Sequence, residues 1–152
     1  MQLYESMENY DYYPQFDLSG NNNFFVCNKD LKKMTNLSSL DLSENDRISD
    51  EGIFTLINLR SLNLAYNNNI TNKGLKNLQQ LAYLNLTCQH SITNDGLKNL
   101  TNLTHINLDR NVAITSDVLK TLPKLLIVEA KYNQPVFKDR TGAGNYKIIL
   151  PA

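Results

Sequence analysis

A repeat of 22 residues is the sequence feature that most constrains how this chain folds. The segment that begins at Leu59, LRSLNLAYNNNITNKGLKNLQQ, recurs in register at Leu37, Leu81 and Leu103. Repeats of about 20–50 residues are typical of solenoids, in which each supersecondary unit buries its apolar side by stacking on the next one. The sequence therefore predicts a stack of similar units.

Each unit is expected to contain a short strand followed by a short helix. Positions 1, 4 and 6 are apolar, and the alternation predicts a strand whose positions 3, 5 and 7 point to its other side. Glycine at position 16 permits close packing, and Leu75 and Leu78 show the apolar stripe expected of a helix. Position 13 is Ser or Thr, and its hydroxyl is predicted to cap that helix. The predicted caps are Ser49, Thr71, Thr93 and Thr115.

Asparagine at position 9 marks the point where each strand is expected to end. Its amide can bond to backbone groups there, so stacked copies are predicted to form a ladder. Gln89 interrupts the series, and we expect a local distortion in its turn because its side chain is one methylene longer. The predicted members of the ladder are Asn23, Asn45, Asn67, Asn111 and Asn133.

Residues 15–133 are assigned to about six repeat units, of which the first and the last are degenerate. A constant 22-residue register aligns Leu18 with Leu40 and Val26 with Ile48 in the first unit. This alignment places Asp17 at position 3, beside Ser39.

The two ends of the chain are predicted to cap the stack, because the end of a solenoid leaves strand edges and core unpaired. Residues 1–14 form the expected N-terminal cap, and residues 134–152 form the C-terminal cap with a strand at 146–150. The N-terminal segment has an alternative role as an aromatic contact patch. That patch would consist of Tyr4, Tyr10, Tyr12 and Tyr13.

The pattern L-x-x-L-x-L-x-x-N-x-x-I-[ST]-x-x-G-[LI]-x-x-L resembles the leucine-rich repeat family. Its second half looks like the cysteine-containing subclass, with Asn where that subclass has Cys, whereas the 22-residue period resembles the internalins. The resemblance implies an α/β fold, a right-handed solenoid with a curved parallel sheet on its concave face and short helices on its convex face. It also implies a protein–protein interaction module.

The repeat register predicts which side chains lie together on the concave face. Neighbouring strands are about 4.8 Å apart, so residues at one position of successive units form a row. Tyrosine and arginine, which are enriched at interface hot spots, occur in the rows at positions 3 and 8. The alternative is that these are ordinary exposed side chains of a sheet. The predicted partner-binding residues are Tyr66, Tyr83, His105, Asp109, Arg110 and Tyr132.

The sequence offers no convincing catalytic or metal-binding set, so we expect no enzymatic activity, no cofactor and no metal. Cys88 and His105 are five positions apart along the strand direction, about 16 Å, which is too far for a nucleophile–base pair. Cys88 with His90 supplies two ligands, fewer than a zinc site uses. Gly142 and Gly144 lack the Lys-Ser/Thr ending of a phosphate-binding loop.

Composition limits the other classes of partner. Fifteen basic and fifteen acidic residues cancel, which argues against nucleic acid and anionic membranes as partners. No apolar run approaches the roughly 20 residues that span a bilayer, so membrane insertion is not expected. Two cysteines and the lack of a recognisable leader favour a cytoplasmic location, in a host cell if the protein is a secreted effector.

The sequence therefore predicts a non-enzymatic module that binds a partner protein through the concave face of a solenoid. The alternative is an adaptor or spacer domain, of the substrate-receptor or bacterial effector type, that contacts its partners through the terminal caps.

Overall fold

A computed structural model describes residues 15–20, 25–132 and 147–149, and it shows short parallel strands alternating with short helices. Within these residues the strands form one sheet in chain order, and one helix follows each of the first five strands. The strands are β1 (Gln15–Asp17), β2 (Ser39–Asp41), β3 (Ser61–Asn63), β4 (Tyr83–Asn85), β5 (His105–Asn107), β6 (Ile127–Glu129) and β7 (Lys147–Ile149). The helices are α1 (Asn28–Leu31), α2 (Asp50–Ile53), α3 (Asn72–Leu75), α4 (Asn94–Leu97) and α5 (Ser116–Leu119).

The apolar positions of the repeat build one continuous core between the sheet and the helices, as the sequence predicts. From β2 to β6, residues 22 apart in sequence pair across neighbouring strands, so the inward side chain of each strand packs against its counterpart in the next unit. The central column of this core is Leu40, Leu62, Leu84, Ile106 and Val128, all buried. The predicted α/β solenoid is confirmed.

The predicted register of the first unit is wrong by two residues. Gln15, not Asp17, pairs with Ser39, so the first repeat step spans 24 residues. The Leu18 N–H donates to the Asp41 carbonyl as the Leu42 N–H donates to the Asn63 carbonyl, so Leu18 corresponds to Leu42. A shift of two residues keeps the same side chains facing inward, and the apolar pattern therefore cannot reveal it.

The 22-residue register returns at Val26, which is buried as its counterpart Ile48 is. Gly20 has a φ of 60° and occupies the place of Glu44. The two additional residues of the first unit therefore lie between Gly20 and Val26.

The predicted helix caps are correctly placed, but their hydroxyls mostly bond to the preceding unit. Ser49, Thr71, Thr93 and Thr115 all precede their helices with extended backbone, and only Thr71 accepts from a first-turn N–H, that of Lys73 at 3.3 Å. Each of the four residues pairs with the Asn or Asp that begins the helix of the preceding unit. The Asp50 carboxylate, for example, accepts from the Thr71 N–H at 2.8 Å and from its hydroxyl at 2.7 Å. A double contact also joins Asn28 to Ser49, Asn72 to Thr93 and Asn94 to Thr115, but there the side-chain amide donates to the hydroxyl while its oxygen accepts from the N–H.

This second ladder explains the glycines at position 16. A Cβ added at Gly52, Gly74 or Gly96 would lie 2.5–2.7 Å from the carboxylate or amide oxygen of the ladder residue in the preceding unit. The glycine therefore makes room for the polar contact between units.

The strand predicted at 146–150 is confirmed as β7, which pairs in parallel with β6. The expected N-terminal cap, its four tyrosines, Asn23, Asn133 and the remainder of the C-terminal cap lie outside the described residues. Within the described part of the chain, every helix is too short and too polar to cross a membrane.

Candidate functional site

The strand face, defined as the side chains at positions 3, 5 and 7 of β2–β6 and the turns that follow, has a rigid polar floor. At position 5, the Asn63 amide oxygen accepts from the Ala65 N–H at 3.1 Å, and Asn85 and Asn107 make the same turn contact. The row is also linked across strands, because Asn63 donates to Asp41 at 2.9 Å and Asn107 donates to Glu129 at 2.9 Å. These bonds hold the floor of the face in one arrangement.

The position-9 ladder supports this floor from inside the turns. Asn67, which is 1% exposed, donates to the carbonyls of Leu42 at 2.9 Å and Asn45 at 2.7 Å and accepts from the Ile70 N–H. Asn111 repeats this arrangement with the carbonyls of Leu86 and Gln89. Asn45 donates to the carbonyls of Leu18 and Gly20, so its second acceptor lies one position earlier than in the regular units. The predicted ladder is confirmed among the described residues.

Gln89 keeps the buried site of the ladder but changes its partners. Its side-chain oxygen accepts from the Ile92 N–H at 2.9 Å, whereas its amide donates to the Ile70 carbonyl at 2.8 Å and not to the carbonyls of Leu64 and Asn67. The expected distortion is thus a change of hydrogen-bond partners. The left-handed turn that precedes Gln89 is the same as in the other units.

Tyr83 and His105 are direct neighbours at position 3, as the register predicts. Partial burial raises the pKa of the Tyr83 hydroxyl, and the negative charges of Glu129 and Asp41 raise it further. The Thr104 hydroxyl donates to the Ala82 carbonyl and lies 2.8 Å from His105 Nδ1. His105 Nε2 has no hydrogen-bond partner among the described residues.

The rim, defined as the position-8 residues Glu44, Tyr66, Cys88, Arg110 and Tyr132, turns the chain out of each strand. All five have left-handed backbone, with φ between 52° and 60°. That conformation is unfavourable for residues other than Gly, Asn and Asp. The N–H groups of the first four bond to the next unit, as Tyr66 does to the Thr87 carbonyl at 2.8 Å and Arg110 to the Lys131 carbonyl at 2.8 Å. Stacking of the units therefore imposes the turn, which the residue types do not predict.

Cationic and aromatic side chains meet at one end of the rim. The Arg110 guanidinium carbon is 5.5 Å from the centroid of the Tyr132 ring, and Lys131 Nζ is 5.4 Å from the same centroid. Both distances allow a cation–π interaction. Further along the rim, a hydrogen bond with the Cys88 side chain raises the pKa of the Tyr66 hydroxyl. Tyr66 and Tyr132 remain more than half exposed, at 53% and 60%.

Asp109 lies at position 7, between Thr87 and Lys131 in the stacked register. Its backbone N–H donates to Asn107 at 2.9 Å, which fixes the turn. Its Oδ1 atom is buried and has no hydrogen-bond partner among the described residues. Leaving a buried polar atom unsatisfied costs about 1–3 kcal/mol.

The predicted partner-binding residues thus fall into two groups on the same side of the sheet. Tyr83 and His105 lie in the row at the start of the strands, and Tyr66, Asp109, Arg110 and Tyr132 lie at or beside the rim. The rows are five positions apart, about 16 Å along the strand direction. Lys131, at position 7, was not among the predicted binding residues, because its contact with Tyr132 depends on the left-handed turn.

The described residues show no assembly for metal binding. No group of three or more His, Cys, Asp or Glu side chains is close enough to hold a metal ion within the described ranges. Cys27 and Cys88 are both free thiols. The Cys27 thiol donates to the Asp30 carboxylate at 2.9 Å, and this bond lowers the pKa of Asp30.

Comparison with known families and structures agrees with this architecture. Residues 33–57 and 55–78 match a family model described as leucine-rich repeat. A comparison with curated protein sequences finds no significant match.

Several solved structures share the fold at low sequence identity. The complex of Rad7 and Elc1 from yeast contains a chain that superimposes with a TM-score of 0.63 at 20% identity, over 75% of this chain and 33% of that one. An internalin of Listeria monocytogenes, InlF, gives a TM-score of 0.55 at 22% identity, over 84% and 44%. Internalin C2 from the same organism gives 0.54 at 24% identity, over 79% and 55%. The chain therefore spans between a third and just over half of the length of these structures.

Proposed function

We propose that this leucine-rich-repeat solenoid is a non-enzymatic module that binds a partner protein through its concave strand face. Solenoids present extended concave surfaces for binding, because each repeat adds one strand to a common face. In this chain the face carries polar and aromatic side chains above a floor whose asparagine amides donate to the carboxylates of Asp41 and Glu129. A partner would meet a surface that is already ordered, which lowers the entropic cost of binding.

The observation that carries the proposal is the exposure of large tyrosines beside cations on this face. Tyr132 contacts both Arg110 and Lys131, and Tyr83 lies beside His105. Tyrosine and arginine contribute most to interface hot spots, where a few residues supply most of the binding energy. We therefore assign partner binding to Tyr66, Tyr83, His105, Asp109, Arg110 and Tyr132.

The test compares the wild type with a Tyr83→Ala/Arg110→Ala variant. Each protein is immobilised, proteins captured from a lysate are identified by mass spectrometry, and the affinity of a captured partner is then measured with purified proteins. We expect the variant to lose at least about 2 kcal/mol of binding free energy, the scale of a hot spot.

A matched control changes two exposed residues of the helical side, Lys73→Ala and Asp117→Ala. This control is expected to bind as the wild type does, and both variants are expected to unfold at nearly the wild-type temperature. Equal affinity of the wild type and the Tyr83→Ala/Arg110→Ala variant would refute the site assignment.

The second candidate is an adaptor or spacer domain that contacts its partners through the ends of the solenoid. It is favoured by one observation, that β7 continues the sheet beyond the last regular repeat unit. One structurally similar chain belongs to a yeast complex of two proteins, Rad7 and Elc1. Deletion of residues 1–13 distinguishes the candidates, because loss of binding with intact folding supports the terminal contacts.

The proposed setting is the cytoplasm, with protein and not nucleic acid as the partner. The zero formal net charge supports this proposal, since it provides no general attraction for a polyanion. A secreted effector that acts inside a host cell would also work in a cytoplasm and bind a protein.

A further inference from the structure

A groove of about 710 Å³ crosses the turns that connect the helices to the strands, on the edge of the solenoid opposite the rim. Three successive repeat boundaries contribute to it. Among the described residues that line the groove, Arg60 is the only charged one, and the others are Asn, Gln, Ser and Ile. Its volume is in the range of small-ligand and peptide sites, which is roughly 300–1,000 Å³.

A hydrogen-bonded ladder that closes the neighbouring turns is interrupted in this groove. Asn58 donates to the Thr35 carbonyl at 2.9 Å, and Asn102 donates to the Gln79 carbonyl at 2.9 Å. The residue between them in the repeat register is Gln80, and the corresponding carbonyl is that of Ile57. No bond between Gln80 and Ile57 is formed within the described structure.

The interruption leaves several polar groups facing the groove without partners among the described residues. They are the Ile57 carbonyl, the side-chain amides of Gln79 and Gln80, and the Arg60 guanidinium, which has no acidic neighbour within salt-bridge distance in the described part of the chain. The Ile57 side chain is 53% exposed beside them. The groove thus combines one cation, neutral donors and acceptors, and an apolar contact.

These groups define the chemistry of a complementary ligand. A guanidinium is matched by a carboxylate, which can accept two parallel hydrogen bonds from it. The Ile57 carbonyl requires a donor, and the glutamine amides can both donate and accept. An extended peptide supplies all of these features when an acidic residue lies next to an apolar one.

We propose that this groove is a second binding site, separate from the concave face, and that it takes an extended acidic–apolar peptide segment of a partner protein. Arg60 binds the carboxylate, Gln80 and the Ile57 carbonyl bond to the peptide backbone, and the Ile57 side chain packs against the apolar residue.

The test is a ¹H–¹⁵N NMR titration of the full chain with three probes. The first is an acetylated, amidated hexapeptide of alternating Asp and Leu, the second replaces each Asp with Asn, and the third is trigalacturonate as an acidic sugar. The acidic peptide is expected to shift the resonances of residues 57–60 and 79–80. The neutral peptide is expected to bind at least about tenfold more weakly, because hydrogen bonds to charged groups are the stronger ones.

Three variants sharpen the test. The Arg60→Gln variant is expected to bind the acidic peptide about tenfold or more weakly than the wild type. The Lys73→Gln variant, which removes an exposed cation away from the groove, is expected to bind this peptide with unchanged affinity. Gln80→Asn introduces the asparagine found at the equivalent position of the adjacent turns, and its amide is expected to donate to the Ile57 carbonyl. This variant should therefore have a higher melting temperature and bind the acidic peptide severalfold more weakly.

Each contrary outcome overturns the proposal. These outcomes are equal binding of the neutral peptide, tighter binding of trigalacturonate, or resonance shifts confined to the strand face. An unchanged affinity of the Arg60→Gln or the Gln80→Asn variant for the acidic peptide would also overturn the proposal.

Discussion

Substitution of Gly74 by alanine is expected to destabilise the fold, although alanine is the better helix former. A Cβ at Gly74 would lie 2.6 Å from Asp50 Oδ1 and 3.1 Å from both Ile53 Cδ1 and Ile70 Cγ2. Asp50 would have to move, yet its carboxylate accepts two hydrogen bonds from Thr71, at 2.8 and 2.7 Å. The substitution therefore acts on the contact that joins two repeat units.

The opposing contributions can be estimated. Alanine gains up to about 1 kcal/mol in helix propensity. Overpacking costs about 1–3 kcal/mol, and a lost hydrogen bond to a charged group costs about 1.5–3 kcal/mol. The expected net loss is about 1.5–5 kcal/mol, which for a domain of this size lowers the melting temperature by roughly 3–20 °C.

The assay is thermal and urea unfolding of Gly74→Ala, Asp50→Ala and the double variant. Removing the Asp50 carboxylate removes the clash, so Gly74→Ala should cost little in the Asp50→Ala background. The two substitutions should then show a coupling of at least about 1 kcal/mol. A melting temperature above wild type for Gly74→Ala, or additive effects in the double variant, would refute the reasoning.

Three further predictions concern single residues of the ladder, the rim and the strand face. Gln89→Asn should restore the standard ladder contacts and raise the free energy of unfolding by about 0.5–1.5 kcal/mol; a lower urea midpoint would contradict this. Glu44→Gly should relieve a left-handed backbone that costs about 1–2 kcal/mol and stabilise the fold by up to about 1 kcal/mol after the entropic cost of glycine, so a loss of stability would argue against strain at the rim. Tyr83 should ionise at higher pH than a free tyrosine in ultraviolet absorbance titrations, and Glu129→Gln should lower its pKa, whereas an unchanged titration would disprove the electrostatic contribution. Because the folded state holds the Tyr83 proton longer, stability should fall as the pH rises above about 10.

The sequence was sufficient for the repeat architecture because burial in a solenoid follows a strict period. Leu62 and Leu84 are 22 residues apart, and they pair in the sheet because each unit must present the same inward positions to its neighbour. The same period placed Tyr83 beside His105. The strand that became β7 lies beyond the periodic part of the chain and was predicted from its own apolar run and the turn residues before it.

Other features depended on contacts that a one-dimensional pattern does not contain. The Thr93 hydroxyl was expected to cap its own helix, and it instead accepts from the Asn72 amide of the preceding unit, which lies within reach only after stacking. The groove beside Arg60 likewise arises from three successive turns, and its unpaired Ile57 carbonyl is recognisable only when Gln80 is compared with the asparagines that bond in the neighbouring turns.

The sequence by itself determined the number and order of the regular repeat units, the core positions and the rows of the strand face, because these follow from the period of apolar residues. Only the tertiary structure decided the two-residue offset of Gln15 against Ser39, since a shift by two leaves the same side chains inward. It also decided the left-handed turns at the rim, where Tyr66 and Arg110 adopt a conformation that their residue types disfavour. Backbone hydrogen bonds to the next unit hold that conformation, and they exist only in the assembled stack.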